Sequence, residues 1–242
     1  MKGRKRVWNH SENQLKINVD QLCVSKVPFF NHLLVDEMLK VVDTATQLQY
    51  KKGDTIFSDG DPLEYLYIIH LGRVKIYQLF SSGKEQLLRI VEPGEFIGEL
   101  ALFTKKDLDS YAEALEDTEI CAIHRRDMQK MMHENPSIAV NILEQFTNRL
   151  DETEKLVGSL SSKDVEMRLA SYLLRLMGEG DSKKVVLPMS KKDLSSYLGT
   201  TQETISRRLS NFQTNGWIEQ RGHRDLLILK EDVLAKVAEG RN

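Results

Sequence analysis

The densest group of side chains able to read another molecule lies between residues 202 and 207, where Gln202, Glu203, Ser206 and Arg207 stand within six positions. On a helix, residues at such spacings share a turn and a half of one flank. Their chemistry suits base edges. Arg207 offers paired donors to guanine O6 and N7, Glu203 accepts from cytosine N4, and Ser206 or Gln202 serves other edges. Around them Lys191, Lys192, Thr201, Arg208, Arg221 and Arg224 are candidates for phosphate contacts. Other readings stand beside these. Glu203 equally suits the third helical position of a capping box begun by Thr200. Arg207 equally suits a phosphate clamp without base discrimination, and the remaining basic residues suit plain surface charge.

The other reactive side chains are sparse. Cys23 and Cys121 are almost a hundred residues apart, and in a reducing compartment such a pair is not a structural staple by default. Cys121 and His124 have a metal-like spacing, but on a strand residues three apart point to opposite faces, so no metal site is expected. The chain carries no Gly-x-x-x-x-Gly-Lys loop, no nucleophile elbow and no His-Glu-x-x-His motif, so catalysis is not expected either.

The elements that must position residues 202–207 are legible around them. Ser190 and Asp193 have capping-box spacing and open a short helix that Leu198 and Gly199 close; a second helix follows, to about Asn215 and Gly216. Two helices joined by a three-residue turn containing glycine form a helix-turn-helix, in which the second helix enters the major groove. Its inward face is predicted to be Ile205, Leu209 and Phe212. Beyond it, Trp217 to Gln220 and Leu226 to Leu229 bracket a polar stretch with Arg221 and Arg224, a hairpin or wing with a basic tip, and Trp217 is expected to anchor it to the second helix.

Charge supports that placement. Residues 183–230 hold nine basic and four acidic side chains, a net of +5; the whole chain is −2, so the remainder carries −7. This asymmetry points the last quarter of the chain at a polyanion. With 242 residues, 40% of them hydrophobic and 29% charged, the chain has room for one large domain or two small ones, and is neither disordered nor a disulfide scaffold. Apolar runs such as Leu226 to Leu229 are far shorter than the ~18 residues of a membrane span, and the polar stretch from Asn9 to Gln14 follows the basic N-terminus where a signal peptide would be apolar, so a cytoplasmic protein without a membrane partner is expected.

Upstream, turn signals at 52–54, 58–62, 81–83 and 92–94 separate short β-branched and aromatic runs, a pattern that predicts an antiparallel β-roll. From Pro136 to about Ser161 the pattern becomes one long helix with Leu143, Phe146, Leu150, Thr153, Val157 and Leu160 at spacings of three and four. Such a stripe suits pairing with a second copy of itself, or packing on its own roll. Met128, Met131 and Met132 are expected to pack into the core. The fold class is therefore α+β: an N-terminal arm over 1–26, the roll over 27–133, a dimerisation helix over 134–161 and a winged helix-turn-helix over 162–242.

The segment from Tyr197 to Leu209 (YLGTTQETISRRL) resembles the recognition motif of the Crp/Fnr family of bacterial transcription regulators. Phe96 to Phe103 (FIGELALF) resembles the family's sensor-domain motif, and His133 to Pro136 (HENP) resembles the entry to its dimerisation helix. The resemblance implies a homodimer that binds a palindromic DNA site near promoters, with RNA polymerase as a further partner. Glu203, Ser206 and Arg207 match the Fnr-type recognition helix, which implies half-sites like TTGA…TCAA about one helical turn apart. Gln202 departs from the apolar residue usual there.

Cofactors follow from two departures. Members that bind cyclic AMP carry an Arg-Ser pair for the cyclic phosphate. Here Asp109 and Ser110 occupy that position, which would set a carboxylate against phosphate, and Gly98, Glu99 and Leu100 are then expected to serve the roll's turn geometry. Fnr holds a [4Fe–4S] cluster with four cysteines, whereas this chain has only Cys23 and Cys121, resembling the last N-terminal ligand and the roll ligand. No cofactor is expected. The arrangement is similar to the Fnr-like (Flp) proteins of lactic acid bacteria, which implies a reversible intramolecular Cys23–Cys121 disulfide. Two small buried side chains, or a roll that answers to a small molecule other than a cyclic nucleotide, are the competing readings.

Overall fold

The computed structural model describes residues 4–6, 23–104, 106–162, 164–177 and 183–240. The chain forms two compact units, one from Met1–Gly83 and Leu88–Arg149, the other from Lys84–Leu87 and Leu150–Asn242.

The first unit contains β1 (Arg4–Arg6), α1 (Val35–Thr44), β2 (Thr46–Tyr50), β3 (Thr55–Phe57), β4 (Tyr65–Leu71), β5 (Val74–Leu79), the part of β6 (Glu85–Val91) from Leu88 on, β7 (Phe96–Ile97), β8 (Tyr111–Ala114), β9 (Thr118–His124), α2 (Arg125–Glu134) and the first half of α3 (Pro136–Ser162). Two sheets, ordered β1-β2-β9-β4-β7 and β3-β8-β5-β6, make the expected roll. Of the N-terminal arm, residues 4–6 join the edge of the first sheet, with Arg4 opposite Gln49, while residues 7–22 lie outside the described residues.

Strand alternation explains why β4 reads as an almost unbroken apolar run. Leu66 and Ile68 on β4, with Cys121 and Ile123 on β9, face a core completed by Phe29, Phe30, Met128, Ile138 and Ile142. Tyr67, Ile69, Ile120 and Ala122 face the opposite way, into the roll interior with Leu48, Phe57 and Ile76. A strand covered on both faces needs apolar residues at every position. Met128 is buried, and Met131 and Met132 pack partly against the first of these cores.

The second unit holds the rest of α3, then α4 (Val165–Met177), β10 (Lys184–Val186), α5 (Lys191–Tyr197), α6 (Gln202–Thr214), β11 (Ile218–Gln220), β12 (Asp225–Ile228) and α7 (Glu231–Ala238). Residues 178–182, between α4 and β10, lie outside the described residues. The wing is a three-stranded sheet rather than a hairpin, because β10 pairs antiparallel with β12 and sets Val185 opposite Leu226. Leu169 and Leu173 of α4 and Leu234 of α7 are fully buried where those two helices pack.

The division between units falls inside α3, after Arg149, whereas the sequence sets residues 134–161 apart as a segment. The first turns of α3 bury Ile138 and Ile142 in the roll unit. No helix among the described residues is long and apolar enough to cross a membrane.

Candidate nucleic-acid interface

Helix α6 is built on Ile205, Leu209 and Phe212, each fully buried, as the apolar periodicity predicts. Its N-cap is Thr201, whose hydroxyl accepts from the Thr204 N–H at 3.3 Å. This corrects the capping box expected from Thr200: the Thr200 N–H instead donates to the Ser195 carbonyl at 2.9 Å, within a turn that requires Gly199 at φ +63°. Glu203 is thus the second helical residue. Its own backbone N–H and the Thr201 hydroxyl hold its carboxyl below the ordinary carboxylate range, so it is ionised and accepting at neutral pH.

With the apolar face inward, Gln202, Glu203 and Arg207 are exposed and Ser206 is half-buried. Arg207 makes no ion pair among the described residues. The next residue behaves oppositely. Arg208, expected at a phosphate, turns to α4 and donates to Glu166 at 2.7 Å. The remaining phosphate candidates differ in how firmly they are held. Lys191 donates to the Gln220 side chain at 2.9 Å and Arg221 pairs with Glu219 at 3.0 Å. Lys192 is exposed and Arg224 half-buried at the wing tip.

The wing is tied to α6 by contacts of two kinds. Trp217 lies against Phe212 at 5.3 Å between ring centroids, the anchor the sequence predicts. Gln213 accepts from the Gln220 N–H at 3.0 Å, a positioning role that no spacing in the sequence announces.

In the first unit, Cys23 and Cys121 meet as a disulfide with their Cα atoms 6.5 Å apart, inside the ~7 Å reach of such a bond. They are 6% and 1% exposed. Cys121 sits mid-strand in β9, between β2 and β4, while Cys23 belongs to a turn. His124 has a structural use. Its Nδ1 accepts from the Arg126 N–H at 3.1 Å and caps α2. Among the described residues no cluster of three or more His, Cys, Asp or Glu side chains has metal-binding geometry.

The sensor motif divides in the same way. Gly98 has φ +83° and a Cβ there would collide with the Tyr65 carbonyl oxygen, so glycine is required for the turn. Glu99 does more than keep that turn: it is ion-paired with Arg149 of α3, and Arg89 lies 3.7 Å away. The Arg149 guanidinium also stacks on Phe96 at 4.8 Å. Leu100 is exposed. Asp109 is exposed and Ser110 buried.

Along α3, Leu143, Leu150 and Val157 are 59%, 60% and 57% exposed, and Thr153 is exposed between them. Phe146 departs from the stripe, half-buried against the roll core and 5.9 Å from the Phe103 ring. The side chain of Leu160 lies outside the described residues.

Residues 47–135 match the cyclic nucleotide-binding domain family and residues 167–237 the Crp-like helix-turn-helix domain family. The chain is 32% identical to the Probable transcriptional regulator flp of Lacticaseibacillus casei, over 87% of this chain and 96% of that protein. It is 30% identical to the Fumarate and nitrate reduction regulatory protein of Escherichia coli K12, over 91% of this chain and 88% of that one. Among solved structures, FixK2 from Bradyrhizobium japonicum superposes with a TM-score of 0.71 at 28% identity, covering 80% of this chain and 96% of the other.

Proposed function

Because the chain belongs to the Crp/Fnr family of DNA-binding transcription regulators, we propose that it acts as a homodimer that reads a palindromic site of TTGA…TCAA type with α6 and is switched by the thiol state of Cys23 and Cys121. One observation carries the DNA reading: Gln202, Glu203 and Arg207 are exposed on the first turns of a helix whose opposite face is fully buried, and no carboxylate among the described residues holds Arg207. Base contacts then fall to Gln202, Glu203, Ser206 and Arg207. Phosphate contacts fall to Lys191, Lys192, Thr201, Arg221 and Arg224, without Arg208.

The two proposed roles give different losses in a gel shift. Arg207→Ala should weaken the cognate duplex about 5- to 150-fold and random duplex little, the discrimination of one bidentate base contact. Lys192→Ala should weaken both about equally. Equal losses on both duplexes for both variants would refute the assignment.

The homodimer reading rests on Leu143, Leu150 and Val157, three exposed apolar residues at seven-residue spacing on one helix. The redox reading rests on the pairing of Cys23 with Cys121. Oxidation removes two protons and two electrons, which thiol–disulfide exchange with an external disulfide can accept. The ratio of the two states changes tenfold per ~30 mV of ambient potential. Neither cofactor of the family fits the residues present. Asp109 brings a carboxylate where a cyclic phosphate would lie, and Glu99 is already held by two arginines. Two thiolates of one chain cannot supply the four ligands of a [4Fe–4S] cluster.

A second reading, a small-molecule effector in the roll, is supported by a cavity of about 500 Å³ lined by Tyr50, Lys51, Leu71, Asp117 and Glu119 among others. The Tyr50 hydroxyl is buried there with no hydrogen-bond partner among the described residues, which suits it to meet a ligand. RNA polymerase as a partner follows from the family alone.

A further inference from the structure

A cleft of about 210 Å³ lies within the second unit, where the C-terminal half of α3, α4 and the end of α5 meet. Three cations line it, Lys155 from α3 and Arg168 and Arg175 from α4, together with the rings of Tyr172 and Tyr197. No carboxylate is among its described lining residues, although Lys155 is ion-paired with Asp151 at 2.6 Å on the exposed side and the charge of Glu152 also reaches Arg175. None of these residues belongs to the proposed DNA-reading set.

The cations are pre-positioned. Arg175 lies over the Tyr172 ring at 5.3 Å and the Tyr197 ring at 6.0 Å, and donates to the Tyr197 hydroxyl at 3.1 Å. The two rings stand 5.6 Å apart and fix the guanidinium plane between them. Arg168, nine-tenths buried, donates from Nε to the Leu198 carbonyl at 3.0 Å. Fixed guanidinium forks beside the exposed Lys155 ammonium, in a concavity of this size, match the geometry and charge of a small oxyanion.

We infer that this cleft binds a small oxyanion, a phosphate or carboxylate group, and that α6 responds to its occupancy. The route is short: Tyr197 ends α5, Leu198 caps it, and Gly199 begins the turn into α6. An anion bridging Lys155, Arg168 and Arg175 ties α3 and α4 to the helix that sets the angle of the reading helix. Effector control would then reside in the DNA-binding unit itself, in addition to anything the roll senses.

The test uses the full-length chain in sodium chloride, titrated by calorimetry with sodium phosphate and, separately, with sodium malonate at matched ionic strength. Saturable one-to-one binding of either anion is expected, and which one binds identifies the chemistry. Arg175→Ala should weaken it about tenfold or more, the loss of charge-assisted hydrogen bonds. Lys155→Ala, at an exposed position that leaves folding intact, should weaken it several-fold and decides the matter if Arg175→Ala fails to fold. DNA affinity measured with and without the anion should differ about fivefold or more in the wild type and not in Lys155→Ala. Absence of saturable heat with both anions, or unchanged affinity in Lys155→Ala, overturns the site. Equal DNA affinity with and without bound anion overturns its link to α6. DNA binding in chloride alone reports separately on the function proposed above.

Discussion

At the scale of single residues, neighbouring arginines of the same helix take opposite roles because the helical turn separates them. Arg207 points to solvent and Arg208 to Glu166, so one is left for the proposed base contact and the other holds α6 against α4. The sequence shows both as basic residues beside a recognition face and cannot say which carboxylate lies near; Glu166 is 42 residues upstream. The capping residue was similarly close to legible, since Thr200 and Thr201 are chemically alike and only the turn geometry chooses between them. The thiols allow a sharper test. A bond that closes a loop of 98 residues contributes about 2–4 kcal/mol, so dithiothreitol or Cys23→Ser should lower the melting temperature of the roll unit by roughly 5–15 °C. Affinity for the cognate duplex should change several-fold between oxidised and reduced wild type in a gel shift, and stay constant in Cys23→Ser. No change in the wild type would remove the switch and leave the roll's cavity to be screened.

At the scale of elements, turn signals, capping spacings and periodicity made most of the molecule readable. Turn signals between β-branched and aromatic runs placed the strands of the roll, and the period of 3.6 placed α3 and α6 to within a residue or two. What stayed hidden was β10, three residues whose short alternation gives no pattern, and α7, whose role depends on a distant partner in α4. The stripe on α3 was legible except at Phe146, which a roll aromatic, Phe103, draws inward. Leu150 is the useful position, because it is 60% exposed in the single chain and its replacement leaves the fold intact. Leu150→Lys should raise the dimer dissociation constant about a hundredfold or more, the burial of two leucines being worth ~1.5–3 kcal/mol each. Sedimentation equilibrium checks this, and an unchanged dimer would place the interface elsewhere.

At the scale of the whole molecule, the near-neutral charge conceals a basic last quarter and an acidic remainder, and the roll interior carries a titration of its own. Burial first, and then the charge of Asp54, push the Tyr50 hydroxyl up to about 12; burial first, and then Tyr50 and other neighbours, raise Tyr67 as well. A raised tyrosine favours the neutral form in the folded chain. The associated stability is complete below the ordinary value near 10 and is lost as pH rises from there through about 12. Tyrosinate absorbance from Tyr50 and Tyr67 should therefore appear only above the ordinary range, coinciding with loss of the β-sheet circular dichroism signal. Simultaneous titration of all tyrosines below pH 10.5, within about half a unit of the ordinary value, would contradict that burial.

The two sulfurs are not equivalent ends of their bond. Cys121 is gripped on both sides by neighbouring strands of the sheet, whereas Cys23 is part of a turn. In the proposed switch, opening the bridge leaves Cys121 fixed by its two ladders, so any displacement that follows falls to the turn carrying Cys23.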